Sequence, residues 1–177
     1  QQNVANDAIV SMLARLHRFA PDKNWHYHPH RWPDAQLALS LQLLALPEEA
    51  ASVLRRCQRE SDRLFAEAGL ISGDSNAGNW GQRENGEFVL FDWERFSTGH
   101  PAIDLAPLIK GMGTPEEYRH LAARYCRFNP RSENDLARDI ALAKAWIVSE
   151  VITLLHKRQK ADFPRFQHWY RSYLPDW

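Results

Sequence analysis

The chain has 177 residues, and its 22 lysines and arginines balance 22 aspartates and glutamates, so the formal charge is zero. This length can bury a hydrophobic core, but a neutral chain lacks the basic surface of a nucleic-acid binder, and no run of about eighteen apolar residues could cross a membrane. Cys57 and Cys126 lie in helix-like stretches without metal-ligand neighbours, which indicates reduced thiols in a cytoplasmic protein.

The first third of the chain has helical periodicity. Apolar residues recur at i, i+3, i+4 and i+7 from Ile9 to Leu16, which predicts a helix ending near His17. After a loop at 22–33, a second helix is predicted to stop before Pro47, and a third to run from Pro47 as its first residue to Gly69. The predicted buried side of the third helix comprises Ala50, Val53, Leu54, Cys57, Leu64, Phe65 and Ala68.

A short β segment then interrupts the helices. Leu70-Ile71 is a brief apolar run, and the sequence EFVLFD from Glu87 to Asp92 predicts a buried strand. Asn85-Gly86, between that strand and Trp80-Gly81, is typical of a tight hairpin turn.

Helical periodicity returns after Pro101. Thr114 and Glu117 form a capping box around a proline, which predicts the start of another helix. Further helices are predicted at about 115–128, 132–158 and 164–173. The predicted fold class is therefore mainly α with a small β-hairpin.

The polar residues of catalytic type are concentrated in segment 71–109, which contains the predicted hairpin. Asp74 and Asn79 form a D-x-x-x-x-N pattern, and the predicted strand ends at Asp92. A carboxylate in a glycine-flanked turn could orient a substrate hydroxyl, and an amide oxygen with a second carboxylate suits Mg²⁺. Phosphoryl transfer requires mainly such positioning and charge neutralisation.

The same residues also have a purely structural interpretation. D-x-x-x-x-N is a common pattern, so it is weak evidence by itself. Asp74 could be a turn residue, Asn79 a loop residue, and Asp92 a polar strand end. Their joint spacing around the hairpin favours the functional interpretation.

The segment resembles the catalytic region of the aminoglycoside phosphotransferase and choline kinase superfamily. That family's pattern is roughly H-G-D-x-x-x-x-N, a hairpin, I-D-W-E and D-L-A. The matching residues are Ser72-Gly73-Asp74, Asn79, Phe91-Asp92-Trp93-Glu94 and Asp104-Leu105-Ala106. Residues 12–17 (MLARLH) also resemble the family's helix that ends in Leu-His.

The resemblance implies one domain over 1–177, the helical C-lobe of a protein-kinase-like fold. It implies transfer of a phosphoryl group from ATP to a small-molecule hydroxyl, with Asp74 as the catalytic aspartate. Asn79 and Asp92 would then bind Mg²⁺, Asp104 would brace the catalytic loop, and Glu94 would lie near the metal or the substrate.

The sequence departs from the family pattern in two ways. Ser72 stands where the family usually has a histidine that supports the loop. No Gly-rich phosphate loop, strand lysine or partner glutamate is recognisable, and G-M-G at 111–113 does not follow a strand. We therefore expect a fragment without the nucleotide-binding N-lobe, inactive alone, with unknown nucleotide-binding residues. The alternative is a degenerate lobe acting as a non-catalytic binding or scaffolding protein. Substrate identity and oligomeric state stay open.

One loop is rich in histidine and aromatic residues. His26, His28 and His30 alternate along it beside Trp25 and Trp32. A metal site is one interpretation, but no cysteine or carboxylate follows at ligand spacing, so a solvent-facing or substrate-flanking loop is favoured.

Overall fold

The computed structural model describes residues 5–66 and 69–177. The helices are α1 (Asp7–Leu16), α2 (Asp34–Leu44), α3 (Glu48–Glu60), α4 (Asp62–Ala66), α5 (Ala102–Leu105), α6 (Pro115–Cys126), α7 (Glu133–Lys157) and α8 (Phe163–Tyr173). The strands are β1 (Leu70–Ile71), β2 (Trp80–Gln82), β3 (Phe88–Leu90) and β4 (Ser97–Thr98). The chain is thus mainly helical with small antiparallel sheets, which confirms the predicted fold class.

The first of two compact units comprises residues 1–30 and 63–141. It holds both sheets: β1 pairs with β4, and β2 forms a hairpin with β3. The predicted turn at Asn85-Gly86 joins the hairpin strands, and Gly86 has the positive φ of 85° that such turns require. The predicted capping box of α6 is also present, with Thr114 accepting from the Glu117 amide and Glu117 accepting from the Thr114 amide.

The second unit comprises residues 31–62 and 142–177. Here α8 satisfies the last carbonyls of α2, which have no partner within their own helix. Arg171 Nε donates to the Leu44 carbonyl at 2.6 Å, and Gln167 Nε2 donates to the Leu43 carbonyl at 2.6 Å. Ser40 of α2 and Ser149 of α7 also form a buried hydroxyl pair at 3.0 Å. These polar contacts fix the register of the helices within this unit.

The prediction of the third helix is wrong about both of its ends. Pro47 is its N-cap, because its ψ of 149° is extended, and the helix begins at Glu48. The helix also ends at Glu60, since the Ser61 hydroxyl donates to the Gln58 carbonyl at 2.7 Å and competes with the helical backbone pattern. A separate short helix, α4, follows. Ala68, which was predicted to lie on the buried side of the third helix, is outside the described residues.

The predicted buried strand is shorter and more open than expected. It covers only Phe88–Leu90 in a sheet of two strands, and Phe91, directly after it, is 55% exposed. Asp92 then adopts a positive φ of 59°, which no continuing strand allows. Strand β4 was not predicted, since Ser97-Thr98 is too short to show an alternating pattern.

Among the described helices, none combines the length with the low charge content needed to cross a membrane. The prediction of one domain over 1–177 stays a prediction beside the division into two units.

Candidate active site

The loop that carries Asp74 is held by the fully buried carboxylate of Asp104. Its Oδ1 accepts hydrogen bonds from the Ser72 hydroxyl and the Gly73 amide, both at 2.9 Å. Its Oδ2 accepts from the Ser72 amide at 2.7 Å and from His17 Nε2 at 3.1 Å. Two main-chain amides immediately before Asp74 are therefore tied to one carboxylate.

A chain of buried hydrogen bonds extends from Asp104 towards the end of α6. Asn129 Nδ2 donates to the Tyr125 hydroxyl at 2.9 Å, and that hydroxyl is 2.9 Å from His17 Nδ1. The consistent assignment has Tyr125 donating to Nδ1 and His17 donating from Nε2 to Asp104. The sequence marked His17 only through the family's Leu-His helix end, and its contact with Asp104 was not predicted.

Asp74 is half-buried, and a neighbouring asparagine orients it. Its Oδ1 accepts from Asn76 Nδ2 at 2.6 Å, while Asn76 Oδ1 accepts from the Gly78 amide at 2.8 Å and caps the short 3-10 turn Ala77–Asn79. A purely structural turn residue typically bonds its own backbone, whereas the Asp74 carboxylate accepts from the Asn76 side chain. Its second carboxylate oxygen has no hydrogen-bond partner among the described residues.

Asn79 connects the Asp74 turn to the hairpin. Its Nδ2 donates to the Asp74 carbonyl at 2.9 Å, and its own carbonyl accepts from the Phe91 amide at 2.8 Å. The first bond uses the nitrogen of the side-chain amide and leaves its oxygen, Oδ1, out of this contact. The second bond ties Asn79 to Phe91, which is the residue directly before Asp92.

Asp92 departs from strand geometry directly after the hairpin. It is a non-glycine residue in the left-handed region, with φ of 59°. Its side chain is exposed, and among the described residues it makes no hydrogen bond or ion pair. The carboxylate is thus available to a ligand.

Glu94 lies apart from these polar contacts, at a small aromatic cavity of about 430 Å³. The cavity is lined by Trp25, His26, His28, Pro29, Trp93, Glu94 and Phe96. Within residues 5–66 and 69–177, no three His, Cys, Asp or Glu side chains gather to hold a metal ion. The substrate-flanking interpretation of the histidine loop stays a prediction.

The sequence reasoning missed Arg95, on the other side of the Asp74 loop, and it named His30 only as part of the histidine loop, without its contact to Arg95. Arg95 Nε donates to the Gly73 carbonyl at 3.2 Å, and His30 Nε2 donates to the Arg95 carbonyl at 2.9 Å. Arg95 directly follows the D-W-E match, which was the only signal that could have drawn attention to it.

Solved structures share this fold. Macrolide 2'-phosphotransferase type I superposes with a TM-score of 0.64 at 17% identity, covering 94% of this chain and 58% of that one. The gentamicin–APH(2")-IIa complex superposes with a TM-score of 0.58 at 17% identity, covering 96% of this chain and 63% of that one. The fold is therefore that of kinase-like phosphotransferases, and the chain spans about three fifths of the length of these structures.

The family is shown by the sequence itself. A model of the phosphotransferase enzyme family matches residues 1–138, which is more than half of the chain. No curated protein sequence matches. The chain belongs to the phosphotransferase enzyme family, which confirms the resemblance seen in the D-x-x-x-x-N and D-W-E motifs.

Proposed function

We propose that this chain is the catalytic part of an enzyme that transfers a phosphoryl group from ATP to a hydroxyl of a small molecule. The observation that carries the proposal is the connected arrangement of Asp74, Asn79 and Asp92. Asn79 is hydrogen-bonded to the main chain of Asp74 on one side and to the residue before Asp92 on the other. Family membership supports the same reaction class.

Asp74 would receive the substrate hydroxyl. One of its oxygens is occupied by Asn76, so the other accepts the hydroxyl hydrogen and directs the oxygen towards the phosphorus. Because Asp104 holds the two amides of Ser72 and Gly73, the loop does not need to reorganise when the substrate binds. Ser72 thus ties its loop to Asp104 through both its amide and its hydroxyl, at the position where the family usually has histidine.

Asn79 and Asp92 fit a magnesium ion by the chemistry of their donors. Mg²⁺ prefers oxygen ligands and is usually held by one or two carboxylates together with phosphate oxygens, so it does not need a cage of three acidic side chains. Asp92 has an exposed carboxylate with no hydrogen bond or ion pair among the described residues, and Asn79 bonds the loop through its side-chain nitrogen, so its oxygen would be free to meet that need. When bound, Mg²⁺ would neutralise charge on the transferred phosphate.

The test is phosphate transfer from γ-labelled ATP to a panel of hydroxylated small molecules, using the protein translated from the complete reading frame. We expect Asp74→Ala to lower the rate by ~10²–10⁴-fold, since that is the usual contribution of a positioned base. Asp162→Ala is the matched control, because Asp162 is an exposed aspartate of the second unit whose carboxylate pairs with the exposed Arg165. Equal activity of Asp74→Ala and wild type would contradict the assignment.

A non-catalytic binding protein is the competing function, and Ser72 in place of histidine is the observation that favours it. Calorimetry distinguishes the two. The enzyme should bind Mg²⁺–ATP and lose this binding in Asp92→Asn, whereas a non-catalytic lobe should bind no nucleotide in either form.

A further inference from the structure

The backbone at Gly73, the residue before Asp74, is pressed against a second segment of the same unit. Gly73 has a φ of +77°, and a Cβ built there would lie 2.1 Å from the Arg95 carbonyl oxygen and 2.6 Å from His30 Nε2. Only glycine fits at such a contact, both for its φ and for lack of space. The close approach indicates that the position of Gly73 depends on Arg95 and His30.

Arg95 contacts the loop with both its main chain and its side chain. Its Nε donates to the Gly73 carbonyl at 3.2 Å, while its own carbonyl oxygen blocks the space where a Gly73 side chain would be. The planar guanidinium suits this role, since Nε donates from inside the side chain and leaves the terminal nitrogens for another partner. Lysine offers no donor at that position.

His30 in turn holds Arg95. Its Nε2 donates to the Arg95 carbonyl at 2.9 Å, so Nδ1 carries the lone pair, and Arg95 Nη2 lies 3.5 Å from that atom. Burial, together with the charge of Arg95, lowers the pKa of His30 to about 4, so the ring is neutral near pH 7. A neutral ring is what this geometry requires, because a protonated Nδ1 would face the guanidinium.

The loop that carries His30 is tied to the segment that carries Arg95. The His28 amide donates to the Phe96 carbonyl at 2.9 Å, and the Ser97 hydroxyl donates to the His28 carbonyl at 2.6 Å. His30 is therefore brought to Arg95 by two contacts of the His28 main chain, two residues before it, with Phe96 and Ser97, which directly follow Arg95.

We propose that Arg95 is a positioning residue for Asp74, which it holds in place through the Gly73 carbonyl, and that His30 keeps Arg95 in position. Asp104 fixes the amides on one side of the catalytic loop, and Arg95 fixes a carbonyl on the other. The catalytic consequence rests on the proposed function of Asp74, whereas the clamp itself does not.

The clamp is tested first without activity, by amide hydrogen exchange at Gly73 measured by NMR. The Gly73 amide itself donates to Asp104, so it exchanges when the loop opens locally. Arg95→Ala should speed this exchange by about five- to tenfold, because opening no longer breaks the bond from Arg95 to the Gly73 carbonyl, a hydrogen bond of ordinary strength. Arg119→Ala, at an exposed arginine of α6, is the matched control and should leave it unchanged. His30→Ala should resemble Arg95→Ala, while His30→Gln, which keeps an N–H donor for the carbonyl, should restore slow exchange.

The second measurement is the kinetics of phosphate transfer by the complete protein. Arg95→Ala should lower kcat by about 10- to 100-fold with the KM for ATP within about twofold, because the nucleotide still binds and only the base is misplaced. Unchanged Gly73 exchange in Arg95→Ala, or exchange equally fast in Arg119→Ala, would overturn the clamp. Faster exchange with unaltered kcat would overturn its role in positioning. If wild type transfers no phosphate, the proposed function fails, and the exchange experiment still decides the clamp.

Discussion

Replacing Asp104 by asparagine changes one oxygen of a fully buried carboxylate into an amide nitrogen. In the native protein both oxygens accept hydrogen bonds: Oδ1 from Ser72 Oγ and Gly73 N, and Oδ2 from Ser72 N and His17 Nε2. Whichever way the new amide is turned, its NH₂ group faces a main-chain N–H. At least one backbone donor therefore loses its acceptor in a site without access to water.

The expected cost follows from these contacts. A hydrogen bond to a charged group contributes about 1.5–3 kcal/mol, and a buried donor left unsatisfied costs about 1–3 kcal/mol. Since the lost contacts share one carboxylate and are not additive, we expect the free energy of unfolding to fall by about 3 kcal/mol in Asp104→Asn. Ser72→Ala should cost only about 1 kcal/mol, because it removes the hydroxyl and leaves all main-chain donors satisfied.

Urea unfolding followed by circular dichroism measures both values. Asp162→Asn, at an exposed carboxylate, is the matched control and should stay within about 0.5 kcal/mol of wild type. A loss below about 1 kcal/mol in Asp104→Asn, or a larger loss in Ser72→Ala than in Asp104→Asn, would refute the view that the Asp104 carboxylate holds the Asp74 loop.

Three further predictions concern stability. The pKa of His30 is about 4 in the folded protein and near 6.5 ordinarily, so the unfolded chain takes up the proton first as pH falls. The contribution of His30 to the free energy of unfolding should therefore fall between pH 6.5 and pH 4 and then level off. With allowance for partial exposure the fall is about 2 kcal/mol, measured as the pH-dependent difference between wild type and His30→Gln. Gly73→Ala should lower the free energy of unfolding by about 2–4 kcal/mol, because the methyl group meets the Arg95 carbonyl at a positive φ; a loss under about 1 kcal/mol would contradict the close contact. Asp92→Asn should match wild type within about 0.5 kcal/mol in urea unfolding, whereas Asp92→Ala should cost about 1 kcal/mol, since asparagine tolerates the left-handed conformation and alanine does not; equal stabilities would argue against strain at this residue.

The local features of the fold were predictable because neighbouring residues encode them. The apolar spacing up to Leu16, the Asn85-Gly86 turn and the Thr114 capping box each predicted an element that the structure contains. The errors have equally local causes. Ser61 ends α3 through a side-chain bond that competes with the helix, and Pro47 was assigned one position too far into it.

The site was predictable to the extent that its chemistry lies in one segment. Asp74, Asn79 and Asp92 are close in sequence, so their spacing around a predicted hairpin drew attention to them, and the structure shows hydrogen bonds from Asn79 to the Asp74 carbonyl and from Phe91 to the Asn79 carbonyl. Their roles in phosphate transfer stay predictions.

The sequence by itself determined the helices, the hairpin and the family, because periodicity, turn residues and motif spacing are properties of short stretches of chain. Only the tertiary structure decided what holds the Asp74 loop. His17 meets Asp104 across 87 positions, and His30 meets Arg95 across 65. No periodicity specifies such partners, since a helix or loop pattern shows which side of an element is buried and not which distant side chain it meets. The buried donors and acceptors around Gly73 are matched only once the unit is folded.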